Sequence, residues 1–299
     1  MRKVLCLVLA LCSARALEAQ SLPLLLIQSD PAAAGTAGAS AQTCVSAFAI
    51  DNNAAAMSLS GSKLEAGAVY GTWQPSVAND NILGASAYWH SGKLGAGIGF
   101  KSLKMPSYEI VSNNGVVSQV DGEFSPQDRT ISLGGSYAMS ETLAIGLVCK
   151  ISSSSLAKDA AASVFGSDIS VQYAKEGVSA GLVLANIGGK VKYKEDEYPQ
   201  PMIAKAGVSY SLIDGLTASG CAEYLFEGAF GASVGAEYCY AGMAFARAGY
   251  HIGSKELGIP SYASLGAGGK IAGVSLNVAY LLASETIGGS FLAGLSYSF

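Results

Sequence analysis

Side chains that could carry out acid–base or nucleophilic catalysis are few and scattered in this sequence. It holds two histidines, His90 and His251. Serine is abundant, but no Ser, His and Asp stand in an arrangement that singles out a catalytic triad. His90 follows Trp89 at an expected short turn, where an aromatic pair at a membrane interface is more usual than a catalytic group. We therefore predict no catalytic residues and a protein that is not an enzyme.

Metal-binding and cofactor motifs are equally weak. No CxxC pair occurs, and two histidines are too few for a zinc site. Two GGK stretches, 188–190 and 268–270, lack the spacing of a phosphate-binding loop. We predict no metal and no cofactor. Spacing cannot pair the cysteines that follow the first nineteen residues, so a disulfide is left open: Cys44, Cys149, Cys221 and Cys239.

The N-terminus has the pattern of an exported protein. Arg2 and Lys3 precede the apolar run VLCLVLALCSA, and small residues follow up to Ala19. This pattern predicts a signal peptide over residues 1–19, cleaved near Ala19. A buried N-terminal helix is the less favoured alternative.

Composition restricts the class of protein. Only 13% of residues are charged, 37 are glycine and the mean hydropathy is +0.35. Removing the leader changes the net charge from −4 to −6, because it takes away three basic residues and one acidic residue. There is no basic patch, so nucleic acid is not an expected partner. No later apolar stretch reaches the 18 residues of a membrane-spanning helix. Together these features favour a membrane β-barrel.

The chain ends in GGSFLAGLSYSF, where large apolar residues alternate with small or polar ones. Period two is the signature of a β-strand with unlike faces. Leu292 is the one residue out of phase. From Lys63 onward fourteen such segments can be marked, most of them nine to twelve residues long, which is the length that crosses a bilayer as a tilted strand. They lie near 64–73, 81–90, 93–102, 129–138, 142–152, 166–174, 177–187, 202–212, 216–226, 229–240, 242–252, 260–270, 273–283 and 288–299.

The connections and the charges support the same architecture. Every second connection has about one to three residues, whereas most of the others are longer, notably 103–128, 153–165 and 188–201. Short turns on the periplasmic side and long loops outside are typical of outer-membrane barrels. Charged residues fall on the face of small residues, which a barrel turns to its lumen: Glu65, Lys101, Lys150, Asp168, Lys205, Glu223, Glu237 and Lys270. We predict an all-β fold, a 14-stranded antiparallel transmembrane outer-membrane β-barrel over residues 63–299.

Residues 20–62 do not alternate and are rich in Ala, Gly and Ser. A disordered tail would be charged and poor in apolar groups, whereas this segment contains Phe48, Ile50, Met57 and Leu59. We favour an N-terminal plug or hatch inside the barrel over a disordered periplasmic tail.

Several stretches resemble the PorV/PorQ family of outer-membrane proteins, relatives of the FadL long-chain fatty acid transporters. They are DPAAAGTAGASAQTCVSAFAIDNNAAA, GEFSPQDRTISLGGSYAMSETLAIGLVCKISSSSLA, GLVLANIGGKVKY and FARAGY. The sequence departs from the family where Asn53-Ala54-Ala55 replaces Asn-Pro-Ala and where Ser46 stands in place of the usual Asp, so we expect the turn of the plug to differ from that of the family.

The resemblance implies two functions. PorV-like members of the type IX secretion system receive cargo at the outer membrane through its C-terminal domain and pass it to a surface sortase. FadL-like members conduct hydrophobic small molecules inward. A paralogue with neither role is a third possibility. Outer-membrane lipid is an expected partner in each case.

Two sets of residues are candidate sites. The shared inward phase of four charged residues on consecutive strands predicts a lumen charge network, for which we favour a structural role because buried charges must be paired: Lys205, Glu223, Glu237 and Arg247. The longest loop, 103–128, is unusually apolar and is predicted to be a lid or a partner surface; its candidate residues are Tyr108, Ile110, Val117 and Phe124.

Overall fold

The computed structural model describes residues 22–113, 118–193, 196–254 and 259–299. The predicted signal peptide and the candidate loop residue Val117 lie outside these ranges. No helix among the described residues is long and apolar enough to cross a membrane.

Fourteen antiparallel strands form a closed barrel, as the alternation predicts. Each barrel strand pairs with the next one along the chain, and the last strand pairs with the first, so no edge is left open. In order, the strands are β1 (Leu64–Trp73), β2 (Asp80–Ser91), β3 (Leu94–Lys104), β6 (Gln127–Ala138), β7 (Leu143–Ala157), β8 (Ala160–Lys175), β9 (Val178–Gly188), β12 (Ile203–Ile213), β13 (Leu216–Leu225), β14 (Ala229–Tyr240), β15 (Ala244–Ile252), β16 (Tyr262–Ile271), β17 (Val274–Leu282) and β18 (Phe291–Ser298).

Two further hairpins stand apart from the barrel sheet. β4 (Tyr108–Asn113) pairs with β5 (Ser118–Phe124), and β10 (Lys190–Tyr193) pairs with β11 (Asp196–Pro199). Both belong to connections that the sequence analysis predicts as plain loops. Short hairpins outside the membrane need no lipid-facing side, so their strands lack the apolar alternation that marks the barrel strands.

The barrel wall has the predicted faces. On β18, Leu295 and Tyr297 are exposed on the outer surface, which bilayer lipid would cover. Leu292, the residue out of phase, is fully buried inside and belongs to the same apolar cluster as Leu24 and Ile27. It breaks the alternation because it packs against the N-terminal residues inside the lumen.

Connections at one end of the barrel are all short, with two to four residues. The other end carries the longer loops, with one correction to the prediction. The expected loop 153–165 is mostly strand, because β7 and β8 continue to a turn at residues 158–159. Its sequence, SSSLAKDAAASVF, gives no alternating signal because this part of the two strands extends beyond the apolar band. We call the long-loop end the outer end, following the usual arrangement of such barrels.

Residues 22–62 form short turns of helix on the lumen side of the wall. They comprise a 3₁₀ turn (Pro23–Leu25), helix α1 (Pro31–Gly35), helix α2 (Ala49–Asn52) and a second 3₁₀ turn (Ala54–Leu59). Pro at the start of α1 and a side-chain cap from Asp30 fix its first turn, since Asp30 accepts a 2.9 Å hydrogen bond from the Ala32 amide.

Candidate functional site

The wall is built to receive the N-terminal segment (residues 22–62). Inward-facing glycines lie where this segment comes closest: a Cβ on Gly146 would stand 2.5 Å from the Ala55 nitrogen, and one on Gly249 would overlap the backbone of Thr36. Only glycine permits such an approach of backbone to backbone. Some of the many glycines of the sequence therefore allow the segment to pack directly against the strands.

Hydrogen bonds also join the segment to the wall. The Asn53 side-chain amide donates to Gln172 Oε1 at 2.7 Å and to the Gln42 carbonyl at 2.8 Å. Thr43 and Ser209 share a hydrogen bond of 2.5 Å between their hydroxyls. Ser86 donates to the Ala47 carbonyl at 2.8 Å. These direct hydrogen bonds attach the segment to polar side chains on the lumen face of the wall.

The segment begins at the outer end of the barrel. Leu22 and Leu25 cluster with Val164 on β8 and Val191 on β10, both near the long loops. At the opposite end Ser60 and Tyr88 share a hydrogen bond of 2.7 Å between their hydroxyls. The described chain thus runs through the lumen from the outer end to the start of β1.

The four predicted lumen charges form two ion pairs that share no residue. Arg247 Nε lies 2.5 Å from Glu237 Oε2, and Arg247 Nη1 donates to Asn277 Oδ1 at 2.8 Å. Lys205 Nζ lies 3.8 Å from Glu223 Oε2. Neighbouring strands bring each pair into register, Glu237 opposite Arg247 and Lys205 opposite Glu223.

His251 joins the second pair, although the sequence analysis did not include it in the predicted charge network. Its Nε2 lies 3.7 Å from Glu223 Oε1, its Nδ1 is 2.9 Å from the Ser233 hydroxyl, and its ring stacks on Tyr262. Asn277 was also missed. Both occupy the inward phase of their strands, which is the sequence signal that could have identified them.

A cavity of about 40 Å³ lies between the segment and this part of the wall. Lys205, Glu223, His251 and Gln28 are among the residues that line it. Its volume is enough for a few water molecules.

A third buried pair stabilises the outer half of the wall. Lys150 Nζ lies 2.5 Å from Asp168 Oδ2, and Asp168 Oδ1 accepts a 2.8 Å hydrogen bond from the Asn186 amide. The β8–β9 register shifts at this point, and Asn186 adopts the left-handed conformation. The pair therefore satisfies a backbone group that the irregularity leaves out of the ladder.

The three described apolar candidates of the longest loop, Tyr108, Ile110 and Phe124, lie on the β4–β5 hairpin. Tyr108 and Phe124 face each other across it, with ring centroids 5.8 Å apart, and Ile110 follows on the same face. The Tyr108 hydroxyl donates to the Leu156 carbonyl at 3.4 Å, which places the hairpin beside the extended end of β7. Val111 and Val120 are paired and exposed on the other face.

Burial changes the acidity of two groups of the N-terminal segment. Burial raises the pKa of Asp30. Hydrogen bonds from Ser46 and from the Ala32 amide favour the charged carboxylate and offset part of this effect. Burial also raises the pKa of the Cys44 thiol, and the charge of Asp30 adds to the effect. Cys44 is thus a neutral thiol rather than a reactive thiolate. All four described cysteines are free.

Comparison with known families identifies the chain. A family model described as type IX secretion system protein PorV matches residues 13–215, about two thirds of the sequence. The chain belongs to the PorV family. A search of curated protein sequences found no match.

Solved structures show the fold that this PorV-family member shares. The toluene transporter TbuX of Ralstonia pickettii has a TM-score of 0.65 at 12% identity, over 90% of this chain and 97% of that one. The toluene transporter TodX of P. putida has a TM-score of 0.65 at 13% identity, over 89% and 97%. A FadL homologue of Pseudomonas aeruginosa has a TM-score of 0.56 at 12% identity, over 90% and 95%. The fold and the family indicate an outer-membrane location and a place among transport and secretion barrels.

This PorV-family member forms its turn at Asn53 without the proline that the family pattern carries. Asn53 Oδ1 accepts a 3.1 Å hydrogen bond from the Ala55 amide and so caps the 3₁₀ turn, in which Ala54 takes the first position. Ser46, which replaces the usual Asp, donates to Asp30 Oδ2 at 2.7 Å and accepts from the Phe48 amide at 3.2 Å. Side-chain hydrogen bonds thus stabilise the local backbone at both Asn53 and Ser46.

Proposed function

We propose that this PorV-family barrel is a cargo-binding shuttle of the type IX secretion system. In this function it receives secreted proteins at the outer membrane, binds their C-terminal domains at its outer end, and passes them to a surface sortase. The observation that carries the proposal is the close fit of residues 22–62 inside the barrel. A wall whose glycines and hydrogen bonds are matched to that segment suits a binding platform better than an open channel.

The proposal assigns residues 20–62 to a plug and residues 63–299 to the barrel that holds it. The cavity beside Lys205 and His251, about 40 Å³, supports this assignment. It is well below the roughly 150 Å³ of an engineered protein cavity that binds benzene. A hydrophobic compound could not occupy it without displacing the segment.

The surface proposed for the partner is the β4–β5 hairpin. Tyr108, Val111 and Val120 are exposed on it, beyond the end of the barrel strands. An isolated two-stranded sheet is marginally stable alone, and exposed apolar side chains on such a sheet are typical of a surface that a partner covers.

The alternative function is FadL-like transport of fatty acids or other hydrophobic compounds. The fold favours it, because the similar solved structures include proteins described as toluene transporters. It requires the N-terminal segment to open a path through the lumen. The cavity beside His251 measures about 40 Å³, and a second one of about 480 Å³, lined in part by Thr43 and Cys44, opens at the short-turn end.

One experiment separates the two functions. The tagged protein is purified from native outer membranes in mild detergent, and everything that accompanies it is identified by mass spectrometry. Recovery of secreted proteins with a common C-terminal domain, or of a sortase, is expected for the shuttle. Recovery of the barrel alone with bound fatty acid or hydrocarbon would instead favour the transporter.

Deletion of residues 106–124 tests the hairpin within the same experiment. Loss of the accompanying proteins, with the barrel still folded, is expected if the hairpin holds the partner. Unchanged recovery of cargo and unchanged cargo release would refute the assignment of this loop.

A further inference from the structure

Two carboxylates lie buried at the outer end of the lumen, and no described residue provides a counter-ion for them. Asp128 is fully buried, and neither of its carboxylate oxygens has a hydrogen-bond partner in the described chain. Asp80 is also buried, and its Oδ1 has none within the same residues. A buried charge without a partner is strongly unfavourable, so such groups are normally paired or coordinate a metal ion.

The strand register places the two aspartates on the same inner surface. Asp128 on β6 is opposite Leu103 on β3, which is opposite Ile82 on β2, and Asp80 lies two residues beyond Ile82 on the same face. The two carboxylates are close enough for the charge of Asp128 to act on Asp80. Mutual repulsion therefore adds to the cost of burying them.

The remaining groups around Asp128 are hydroxyls. Ser154 is directly opposite Asp128 in the β6–β7 pair, and its buried hydroxyl is also without a partner among the described residues. The Tyr193 side chain, from the β10–β11 hairpin, lies close to both of these groups. Oxygen atoms are the ligands that hard divalent cations prefer.

No positive side chain of the described ranges supplies the missing charge. Lys101, the nearest inward cation on β3, interacts favourably with Asp51 and Asp168 instead. Among the described residues, no cation acts on Asp80 or Asp128. Because Asp128 is fully buried, the missing partner has to be small, which excludes a basic side chain of a docked protein.

We infer that Asp128 and Asp80 bind a divalent cation, for which Ca²⁺ is the best candidate, at the outer end of the lumen. Ca²⁺ accepts irregular sets of oxygen ligands, including water, more readily than Mg²⁺ does. The described residues hold no cluster of three or more carboxylate, imidazole or thiol groups, so hydroxyls and water complete the shell. The sequence analysis expected no metal because it considered zinc motifs, and these aspartates are 48 residues apart.

The position of the site suggests what the ion does. Asp80 is the first strand residue after the outer loop 74–79, and Asp128 is the second residue of the strand that follows the β4–β5 hairpin. Tyr193 comes from another outer hairpin. A cation at this position ties three outer connections to the rim of the barrel. The inference does not depend on which cargo or compound the protein handles.

The test uses the full mature chain refolded in detergent, so that no lipopolysaccharide phosphate contributes metal binding. After treatment with EDTA and dialysis against CaCl₂, bound calcium is measured by elemental mass spectrometry. The thermal midpoint is then compared in CaCl₂, in MgCl₂ and in EDTA. We expect one Ca²⁺ per chain and a midpoint several degrees higher in CaCl₂ than in EDTA, because a ligand that binds only the folded state stabilises it.

Asp128→Asn and Asp80→Asn are the test variants, and Asp214→Asn, in an exposed turn at the opposite end, is the matched control for the loss of one charge. We expect Asp128→Asn to weaken calcium binding at least tenfold and Asp214→Asn to leave it unchanged. Wild-type protein without bound calcium, or calcium binding that survives both test variants, would overturn the inference and indicate a protonated pair of acids. If Asp128→Asn does not fold, the wild-type measurement and Asp80→Asn still decide.

Discussion

The Asn53 side-chain amide donates a 2.7 Å hydrogen bond to Gln172, a residue 119 positions away on the inner face of β8. The same nitrogen donates to the Gln42 carbonyl, and Asn53 Oδ1 caps the turn that follows. One buried side chain thus holds the N-terminal segment in shape and attaches it to the barrel wall.

Replacing this amide tests whether the segment is a stable part of the fold. Asn53→Ala leaves buried acceptors unpaired and is expected to lower the free energy of unfolding by about 2 kcal/mol. Urea unfolding followed by tryptophan fluorescence measures it. Asn81→Ala, which removes an exposed hydrogen bond from Tyr70, is the control and is expected to cost less than half as much. Equal effects of the two variants would argue against a tightly held segment.

A side chain at Gly249 is expected to displace the segment. Gly249→Val puts atoms where the Thr36 backbone lies, so the protein either unfolds more easily or lets small solutes through. Liposome-swelling assays with sugars, together with unfolding midpoints, detect both results. Gly135→Val is the matched control, because its Cβ meets only the Gly95 carbonyl at 3.5 Å. Unchanged permeability and stability in Gly249→Val would contradict the proposed plug.

Breaking the Glu237–Arg247 pair measures how much a lumen ion pair contributes to the free energy of unfolding. Glu237→Gln leaves the buried guanidinium without its counter-charge, and we expect a loss of about 2 kcal/mol, below that for a fully buried pair because the carboxylate is partly exposed. The double variant Glu237→Gln with Arg247→Met should regain part of this loss. Glu176→Gln, in the exposed pair with Lys175, is the control, expected to change stability by less than about 0.5 kcal/mol. A double variant no more stable than Glu237→Gln would refute a purely structural role.

Polar substitution on the hairpin separates partner binding from folding. Tyr108→Ser with Phe124→Ser removes the aromatic contact of the β4–β5 hairpin and the hydrogen bond from Tyr108 to Leu156 on β7, but it replaces no residue of a barrel strand. We expect normal amounts of folded barrel in the membrane and at least a tenfold loss of accompanying secreted proteins. Val77→Ser, at an exposed apolar position in another outer loop, should leave recovery unchanged. Equal recovery from all three proteins would remove the hairpin from the proposed site.

The sequence by itself determined the barrel. A strand that faces lipid on one side and a lumen on the other must alternate, so the fourteen segments and the inward phase of the charges could be read from period two. The composition and the alternation of short and long connections then favoured a closed membrane barrel. The same rule failed for residues 153–165 and for the two hairpins. There the chain extends beyond the apolar band, so neither face of a strand has to be apolar.

Only the tertiary structure decided what the lumen contains and which charges meet. Gly249 and Thr36 are distant in sequence, and their contact depends on how the N-terminal segment crosses the barrel. His251 joins Glu223, and Asp80 shares a surface with Asp128, because strand register brings distant residues together. Periodicity gives the side of the wall on which a residue lies, but the partners across a lumen are set by three-dimensional packing, which no local pattern records.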